Sequence, residues 1–271
     1  MFIAEQGHVN AQSRNHHNFA GGITLAGYLT DPQRQTGGRN VVSTPRPQFD
    51  PTEPRFHDRT DAGQRLADAL GAYANRLDVM VLALPRGGVP VAAEVARKLS
   101  LPLDVLLVRK LGVPFQPELA MGAISVGGVR IVNKEVVGAF GISPEAIETV
   151  AREEQRELER RERTYRGDAP ALKVAGKTVI LVEDGIATGS TMLAAVAAVR
   201  QLKAARVIVA APTVAASTCD KMCEIADDVV ALLAPEEFYA VGQWYEDFSQ
   251  TTDEEVRELL AQAACRESVS P

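Results

Sequence analysis

The stretch "TVILVEDGIATGSTM", Thr178 to Met192, decides how the rest of the chain is read. The apolar run Val179 to Val182 leads into two acids, Glu183 and Asp184, and then into Gly185, Ile186, Ala187, Thr188, Gly189, Ser190 and Thr191. A continuous apolar run ending in turn residues is the pattern of a strand buried in a parallel sheet. Small residues after such a strand let backbone amides wrap an anion where a helix begins, and the helix dipole favours negative charge there. Thr188, Ser190 and Thr191 add hydroxyl donors. Carboxylates repel phosphate, so Glu183 and Asp184 must face another part of the ligand, such as sugar hydroxyls, or a metal ion. A ribose that carries phosphates fits both halves of the motif. No Lys follows Gly189, which excludes the Walker pattern, and no G-x-G-x-x-G opens a helix after a strand.

Outward from this stretch, strands alternate with helices. "TDAGQRLADALGAYANRL" (60–77) predicts an amphipathic helix with Leu66, Leu70 and Tyr73 on one face. "VMVLALP" (79–85) reads as a buried parallel strand, "VPVAAEVARKL" as a helix and "LDVLLV" (103–108) as a second buried strand. "AMGAISVGGVRIVN" predicts a hairpin turning at Gly127 and Gly128. The long charged segment from Ser143 predicts a helix with Ser143 as N-cap and Pro144 in its first position. Its acids and bases at helical spacing are read as a solvated face. Strands "RVIVAAP" and "DVVALLA", helix "STCDKMCEIA" and a last helix from Asp253 complete the series. Such alternation implies an α/β fold: an open, mainly parallel sheet flanked by helices, with ligands at the carboxyl ends of the strands. The loops after Leu84, Val108, Val182 and Ala211 are therefore the ones to inspect.

The first of these is "LPRGGVP". Arg86 offers a fixed charge with several donors, and Gly87 and Gly88 allow amides to approach an anion closely. A plain tight turn explains the glycines equally well. After the second strand, "VRKLG" brings Arg109 and Lys110 to a strand end. Taken alone these are two solvated charges, but three neighbouring loops now look suited to phosphate.

"VILVEDGIATGST" resembles the PRPP-binding motif of type I phosphoribosyltransferases: an apolar strand, two acids, then a small-residue phosphate loop. "LALPRGGVPVA" looks like that family's pyrophosphate loop, and "VRK" matches the place where members, notably the adenine enzymes, carry basic residues before a flexible loop. The resemblance covers roughly Arg55 to Leu260 and is greatest to a bacterial branch described only as phosphoribosyltransferases. It implies the type I phosphoribosyltransferase fold with a small hood region. It implies that Glu183 and Asp184 hold the ribose hydroxyls, that residues 185–191 cradle the 5′-phosphate, and that Arg86, Gly87 and Gly88 bind pyrophosphate, often through a non-proline cis peptide. Arg109 and Lys110 would also meet pyrophosphate, and residues 111–122 would be the mobile loop closing over the reacting centre. Mg2+ would bridge pyrophosphate and ribose oxygens, with Glu183 and Asp184 as its only protein contacts in view. The partners implied are PRPP and a small-molecule acceptor, a nitrogen nucleophile such as a nucleobase.

Composition limits the alternatives. The chain has 271 residues, 46% hydrophobic and 24% charged, an ordinary globular balance. A net charge of −6 argues against a nucleic-acid partner held by a broad basic face. Four histidines, only His57 of them near the regular part, leave little material for a histidine metal site or a Ser-His-Asp triad. Cys219 and Cys223, one helical turn apart, are read as packing. Three cysteines and no basic-then-apolar start argue for a cytoplasmic protein, and no run reaches membrane-spanning length. Residues 1–54, rich in Gly, Asn, Gln, Pro and Thr, are expected to form a disordered tail before a domain at 55–271. A homodimer is left open.

The acceptor is not settled by these residues. The 6-oxopurine enzymes usually carry an Asp in the phosphate loop, where this chain has Ala187. The flexible-loop acid of the adenine enzymes has Glu118 as its only counterpart. "PEEFYAVGQWYEDF" is loosely similar to the base-binding segment of the 6-oxopurine enzymes and nominates Phe238, Tyr239 and Asp247, with the spacing off by a residue. It also holds Trp244, Tyr245 and Phe248, a dense cluster for a chain only 5% aromatic. A hydrophobic plug is the bland reading of that cluster. Two further readings stand beside a catalytic transferase: a PRPP-sensing regulator without turnover, and, ranked last, a scaffold whose glycines and acids are only turns.

Overall fold

β1 (Val79–Ala83) and β6 (Thr178–Val182) are buried at every position and lie side by side in parallel at the centre of the main sheet. The computed structural model describes residues 56–167 and 169–269. The sequence between the two strands makes α2 (Gly88–Leu99), β2 (Leu103–Val105), β3 (Val108–Val113), β4 (Gln116–Ser125), β5 (Val129–Val132), α3 (Lys134–Ala139) and α4 (Pro144–Arg166). α1 (Arg59–Ala69) precedes β1. After β6 come α5 (Ser190–Gln201), β7 (Arg206–Thr213), α6 (Ala216–Ile225), β8 (Asp228–Leu233) and α7 (Asp253–Val269).

The main sheet has five parallel strands in the order β2-β1-β6-β7-β8. α1 packs on α2, α5 packs on α6, and both groups flank the sheet. The fold is thus the expected α/β architecture with a mainly parallel sheet. Aliphatic residues with no exposed surface, among them Val81, Leu82, Ile180, Leu181, Ile208 and Val209, fill its centre. Each such side chain contributes roughly 1.5–3 kcal/mol by leaving water. This rigid layer fixes where the strand-end loops emerge.

One run of sequence folds differently from its reading. "LDVLLV" is not a single strand: β2 stops at Val105, and β3 starts at Val108 in a second, antiparallel sheet of order β3-β4-β5. Leu106 and Leu107 are buried between the two sheets, so apolarity continues across the break and hides it. Arg109 and Lys110 consequently lie inside a hairpin strand. The segment 111–122, expected as a mobile loop, forms the rest of that hairpin, with Lys110 opposite Ala123 and irregular register around Gly112. The turn at Gly127 and Gly128 is as expected, with φ of +72° and +74°, values that glycine adopts without steric cost.

α4 begins as expected: the Ser143 hydroxyl accepts from the Ala146 amide, and Pro144 opens the helix. Its charges are not all solvated. Arg166 forms two 3.0 Å hydrogen bonds to Asp104 with a side chain only 5% exposed. This ties the helix end to β2.

A small second cluster caps the sheet. Trp244 and Tyr245 pack with Phe56 and Ala62, and Phe238 and Val241 join them. The Phe56 amide donates to the Trp244 carbonyl at 3.0 Å, and the Glu246 amide to the Phe56 carbonyl at 2.9 Å. Residues 1–55 and the side chain of Glu118 lie outside the described residues.

Candidate active site

The turn after β6 is pinned from below and open above. The Ile186 amide donates to the Thr213 carbonyl at 2.9 Å, and the Ala215 amide donates to the Ile186 carbonyl at 2.9 Å. The Ile186 side chain is buried as a peg. The Thr218 hydroxyl of α6 donates to the Ala187 carbonyl at 2.6 Å. Gly189 turns the chain with φ of +73° into α5 and gives it no side-chain cap. The first-turn amides of a helix have no intrahelical acceptor, so an uncapped start presents donors. Thr188 and Ser190 are exposed, and their hydroxyls lie 3.3 Å apart. Backbone anchored by its carbonyls and donating through its amides is suited to an anion.

"LPRGG" packs directly on the end of β6. A Cβ on Gly87 would fall 2.0 Å from Asp184 Oδ2, and one on Gly88 would fall 2.6 Å from the Val182 carbonyl oxygen. The two glycines are therefore required by the contact between the loops. The Pro85–Arg86 peptide is cis. Gly88 opens α2, its amide donating to the Leu84 carbonyl at 3.1 Å and the Val89 amide to the Arg86 carbonyl at 3.0 Å.

The two acids sit in different surroundings. Asp184 Oδ2 accepts from Arg59 Nε at 2.8 Å, and its carbonyl oxygen accepts from the Tyr245 hydroxyl at 2.5 Å. Burial pushes its carboxyl up, and Arg59 pulls it partly back. The Glu183 amide donates to the Ala210 carbonyl at 3.3 Å, but its carboxyl has no hydrogen-bond or ion-pair partner among the described residues. Burial, with the Asp184 charge next to it, pushes its carboxyl up to about 8. A carboxyl shifted by burial and a neighbouring charge at a strand end is a candidate functional group.

The basic residues are held by acids from elements distant in sequence. Arg109 donates from Nε to Glu154 of α4 at 2.6 Å, and its Nη2 lies 2.6 Å from the same oxygen. Arg86 Nη1 is 3.7 Å from Asp253 of α7, and Asp253 accepts from the Tyr165 hydroxyl of α4 at 2.6 Å. A narrow cleft is lined by Pro85, Val108, Arg109, Leu158, Arg161 and Thr191. It joins the pyrophosphate-type loop, β3 and the phosphate-type loop to α4. Lys110 is exposed, and alternation along β3 sends it to the face opposite Arg109. The structure thus separates that basic pair.

The residues nominated for the acceptor are spread over the cap. Phe238 stacks at a tilt on Trp244, with centroids 6.0 Å apart. Tyr239 is 83% exposed. Asp247 is exposed, and its Oδ1 accepts from the Ser249 amide at 2.8 Å. The aromatic residue that reaches the acids is Tyr245, on the Asp184 carbonyl, while Phe248 lies 3.9 Å beneath the Arg59 guanidinium. Sequence reading missed Arg59, Glu154, Tyr165 and Asp253 as site residues. Only the aromatic density around Tyr245 and Phe248 signalled any of this shell.

Comparison with known proteins matches this arrangement. Two curated relatives from Mycobacterium tuberculosis strains, each named "Putative phosphoribosyl transferase", are 46% identical to this chain over 208 residues, 77% of this chain and 47% of theirs. The chain therefore matches about half the length of those relatives. The crystal structure of TT1426 from Thermus thermophilus is similar at 40% identity and a TM-score of 0.68, covering 77% of this chain and 98% of that one. Residues 56–232, which include both glycine loops, the paired acids and the hairpin, match the sequence model of the phosphoribosyl transferase domain. The chain belongs to the phosphoribosyl transferase domain family.

Proposed function

We propose that the chain transfers the phosphoribosyl group of PRPP to a small nitrogen nucleophile, a nucleobase or related compound, and releases pyrophosphate. The observation that carries this reading is the juxtaposition at one sheet edge of the Glu183–Asp184 carboxylates, the uncapped start of α5 and the Arg86–Gly88 loop. In that reading Glu183 and Asp184 take the ribose hydroxyls, and residues 185–191 take the 5′-phosphate. Arg86, Gly87, Gly88 and Arg109 take the pyrophosphate, with Lys110 contributing from the outer face of the hairpin.

No protein nucleophile is required. The C1–O bond loosens, positive charge develops on the ribose, and the acceptor attacks from the far face, as in glycoside cleavage. The chain positions both partners, stabilises the departing anion and excludes water. Mg2+ fits the residues present. Among the described residues no three His, Cys, Asp or Glu side chains form a self-sufficient metal cage, and Mg2+ characteristically uses one or two carboxylates together with substrate phosphates. Glu183, without an ion-pair partner among the described residues, would be the first of those carboxylates and Asp184 the second. When bound, the ion neutralises charge on the leaving pyrophosphate.

Phe238, Tyr239 and Asp247 are proposed as acceptor contacts, Tyr239 offering the most exposed ring. No helix of the described residues is long and apolar enough to cross a membrane. A cytoplasmic site of action remains part of the proposal. The deciding experiment incubates the purified chain with PRPP, Mg2+ and a panel of bases and amines and follows pyrophosphate release. A reactive panel member should lose affinity in Tyr239→Ala while PRPP affinity holds. PRPP binding without release from any panel member would make the chain a PRPP-sensing regulator instead.

A further inference from the structure

Arg59 has no place in the reading given so far, yet its side chain is 12% exposed and fully engaged at the site. It opens α1, next to the N-cap Asp58. Its Nε donates to Asp184 Oδ2 at 2.8 Å and its Nη1 to the Ser249 carbonyl at 2.6 Å. Its guanidinium carbon lies 3.9 Å over the Phe248 ring. Phe248 in turn stacks on Tyr245 with centroids 5.0 Å apart, and Tyr245 donates to the Asp184 carbonyl at 2.5 Å. The cap thus grips Asp184 at both ends: Tyr245 holds the main chain, and Arg59, seated on Phe248, holds the carboxylate.

The arginine grips a single oxygen of the carboxylate, Oδ2. Oδ2 is enclosed by Arg59 and by the Gly87 backbone, where a Cβ would lie 2.0 Å from it and 3.0 Å from Oδ1. A guanidinium that bonds one oxygen of a carboxylate sets the plane of the group, and backbone hydrogen bonds from Asp184 and Gly185 favour the charged form of the same carboxylate. A charge-assisted hydrogen bond and a cation–π contact both favour this single geometry. Lys carries the charge but has neither the fork nor the flat face that these three contacts use together. Glu183, one residue away, has no such partner among the described residues.

We propose that Arg59 is a positioning residue for the phosphoribosyl site: it fixes the Asp184 carboxylate so that Oδ1 meets the vicinal hydroxyls of the bound ribose, and it makes that position depend on the Phe248–Ser249 turn of the cap. The proposal rests on the assignment of Asp184 to ribose. Ribose contacts depend on the orientation that this charge-assisted hydrogen bond gives the carboxylate, so the effect of losing Arg59 should be felt in ligand binding even when the chain stays folded.

The test measures binding of three probes, PRPP, ribose 5-phosphate and inorganic pyrophosphate, to the full chain and to Arg59→Gln, Arg59→Lys, Phe248→Leu and Asp184→Asn. Arg59→Gln should weaken PRPP and ribose 5-phosphate about tenfold to a hundredfold and leave pyrophosphate within about twofold. Arg59→Lys should recover only part of the loss, and Phe248→Leu should shift the same two probes to a smaller extent. Combining Arg59→Gln with Asp184→Asn should add little to Asp184→Asn alone, because the arginine acts through that carboxylate. An equal loss for all three probes, or full recovery by Lys, would overturn the proposal. If Asp184→Asn weakens ribose 5-phosphate and Arg59→Gln and Phe248→Leu do not, the proposal fails while the ribose assignment stands. If Asp184→Asn itself changes nothing, both fail. Should Arg59→Gln not fold, Arg59→Lys and Phe248→Leu decide the matter by the same probe pattern.

Discussion

The loops at the strand ends and the parts that cover them are built on different principles. The turns 85–88 and 185–191 present backbone: glycines, amides and an uncapped helix start, seated on one another and on the end of β7. The cover, made by α1, α4, α7 and the 234–252 segment, presents side chains. It holds Asp184 through Arg59, Arg109 through Glu154, and Arg86 through Asp253 and Tyr165. Arg59 stands 125 residues from Asp184 in sequence, Tyr165 88 from Asp253, and Arg109 45 from Glu154. The difference teaches that the residue types suited to an anion can be specified by a contiguous motif, while the aim of the side chains comes from elsewhere in the fold. Backbone amides are fixed once the turn that carries them is pinned, as Thr213, Ala215 and Thr218 pin the turn after β6. A long guanidinium needs a partner of its own, because holding a flexible side chain in one rotamer costs up to about 2 kcal/mol.

The comparison breaks first if the local motif is not the binding element. Above the Glu183 pKa of about 8, where both acids are ionised, Glu183→Gln combined with Asp184→Asn removes two charged acceptors worth about 1.5–3 kcal/mol each. PRPP affinity, measured by titration calorimetry, should fall on the order of a hundredfold to ten-thousandfold. An unchanged affinity would show that the acids serve another ligand.

Arg86→Ala comes next in size. Removing a donor that acts on a developing anion costs roughly a hundredfold to a thousandfold in turnover. Steady-state kinetics should show kcat falling more than PRPP affinity; the reverse would make Arg86 a ground-state anchor. Glu154→Gln tests the cover alone. It leaves Arg109 in place and weakens only its tether, a bond worth about 0.5–3 kcal/mol at a half-exposed pair. Turnover should fall roughly twofold to tenfold with little change in thermal stability. A loss as large as that of Arg109→Ala would mean that Glu154 itself belongs to the reacting centre.

The smallest effect is on stability and sharpens the contrast between the two acids. Glu183 is raised from 4.5 to about 8 in the folded chain. The folded state therefore keeps a proton that the unfolded state loses first, and the stability tied to this group is present below pH 4.5 and lost as pH rises to about 8. Without ligand, Glu183→Gln should raise the melting temperature relative to wild type at pH 8 and match it near pH 4.5. A constant difference across that range would place the shifted group elsewhere. Asp184→Asn should behave differently, since it strands Arg59 and destabilises the cap at neutral pH.

Much of the fold was readable because its signals are short-range. The apolar runs of β1, β6, β7 and β8, the Ser143–Pro144 start of α4 and the Gly127–Gly128 turn each rest on residues adjacent in sequence. The division of 103–108 into β2 and β3 was not readable, since Leu106 and Leu107 stay buried through the crossing and no periodicity changes. The solvated reading of α4 failed for the same kind of reason. Glu154, Tyr165 and Arg166 look like any helical polar residues until Arg109, Asp253 and Asp104 are brought to them.

The sequence by itself determined the parallel sheet, the place of the two glycine loops and the paired acids that face them, because burial periodicity and turn chemistry are properties of contiguous residues. Only the tertiary structure decided which acid is gripped and which is left with its proton, which basic residue of Arg109–Lys110 turns to α4, and that Arg59 reaches the site at all. Those outcomes depend on distances between chain segments far apart in sequence. A side chain's charge, unlike a backbone turn, carries no mark of the partner that the fold will bring to it.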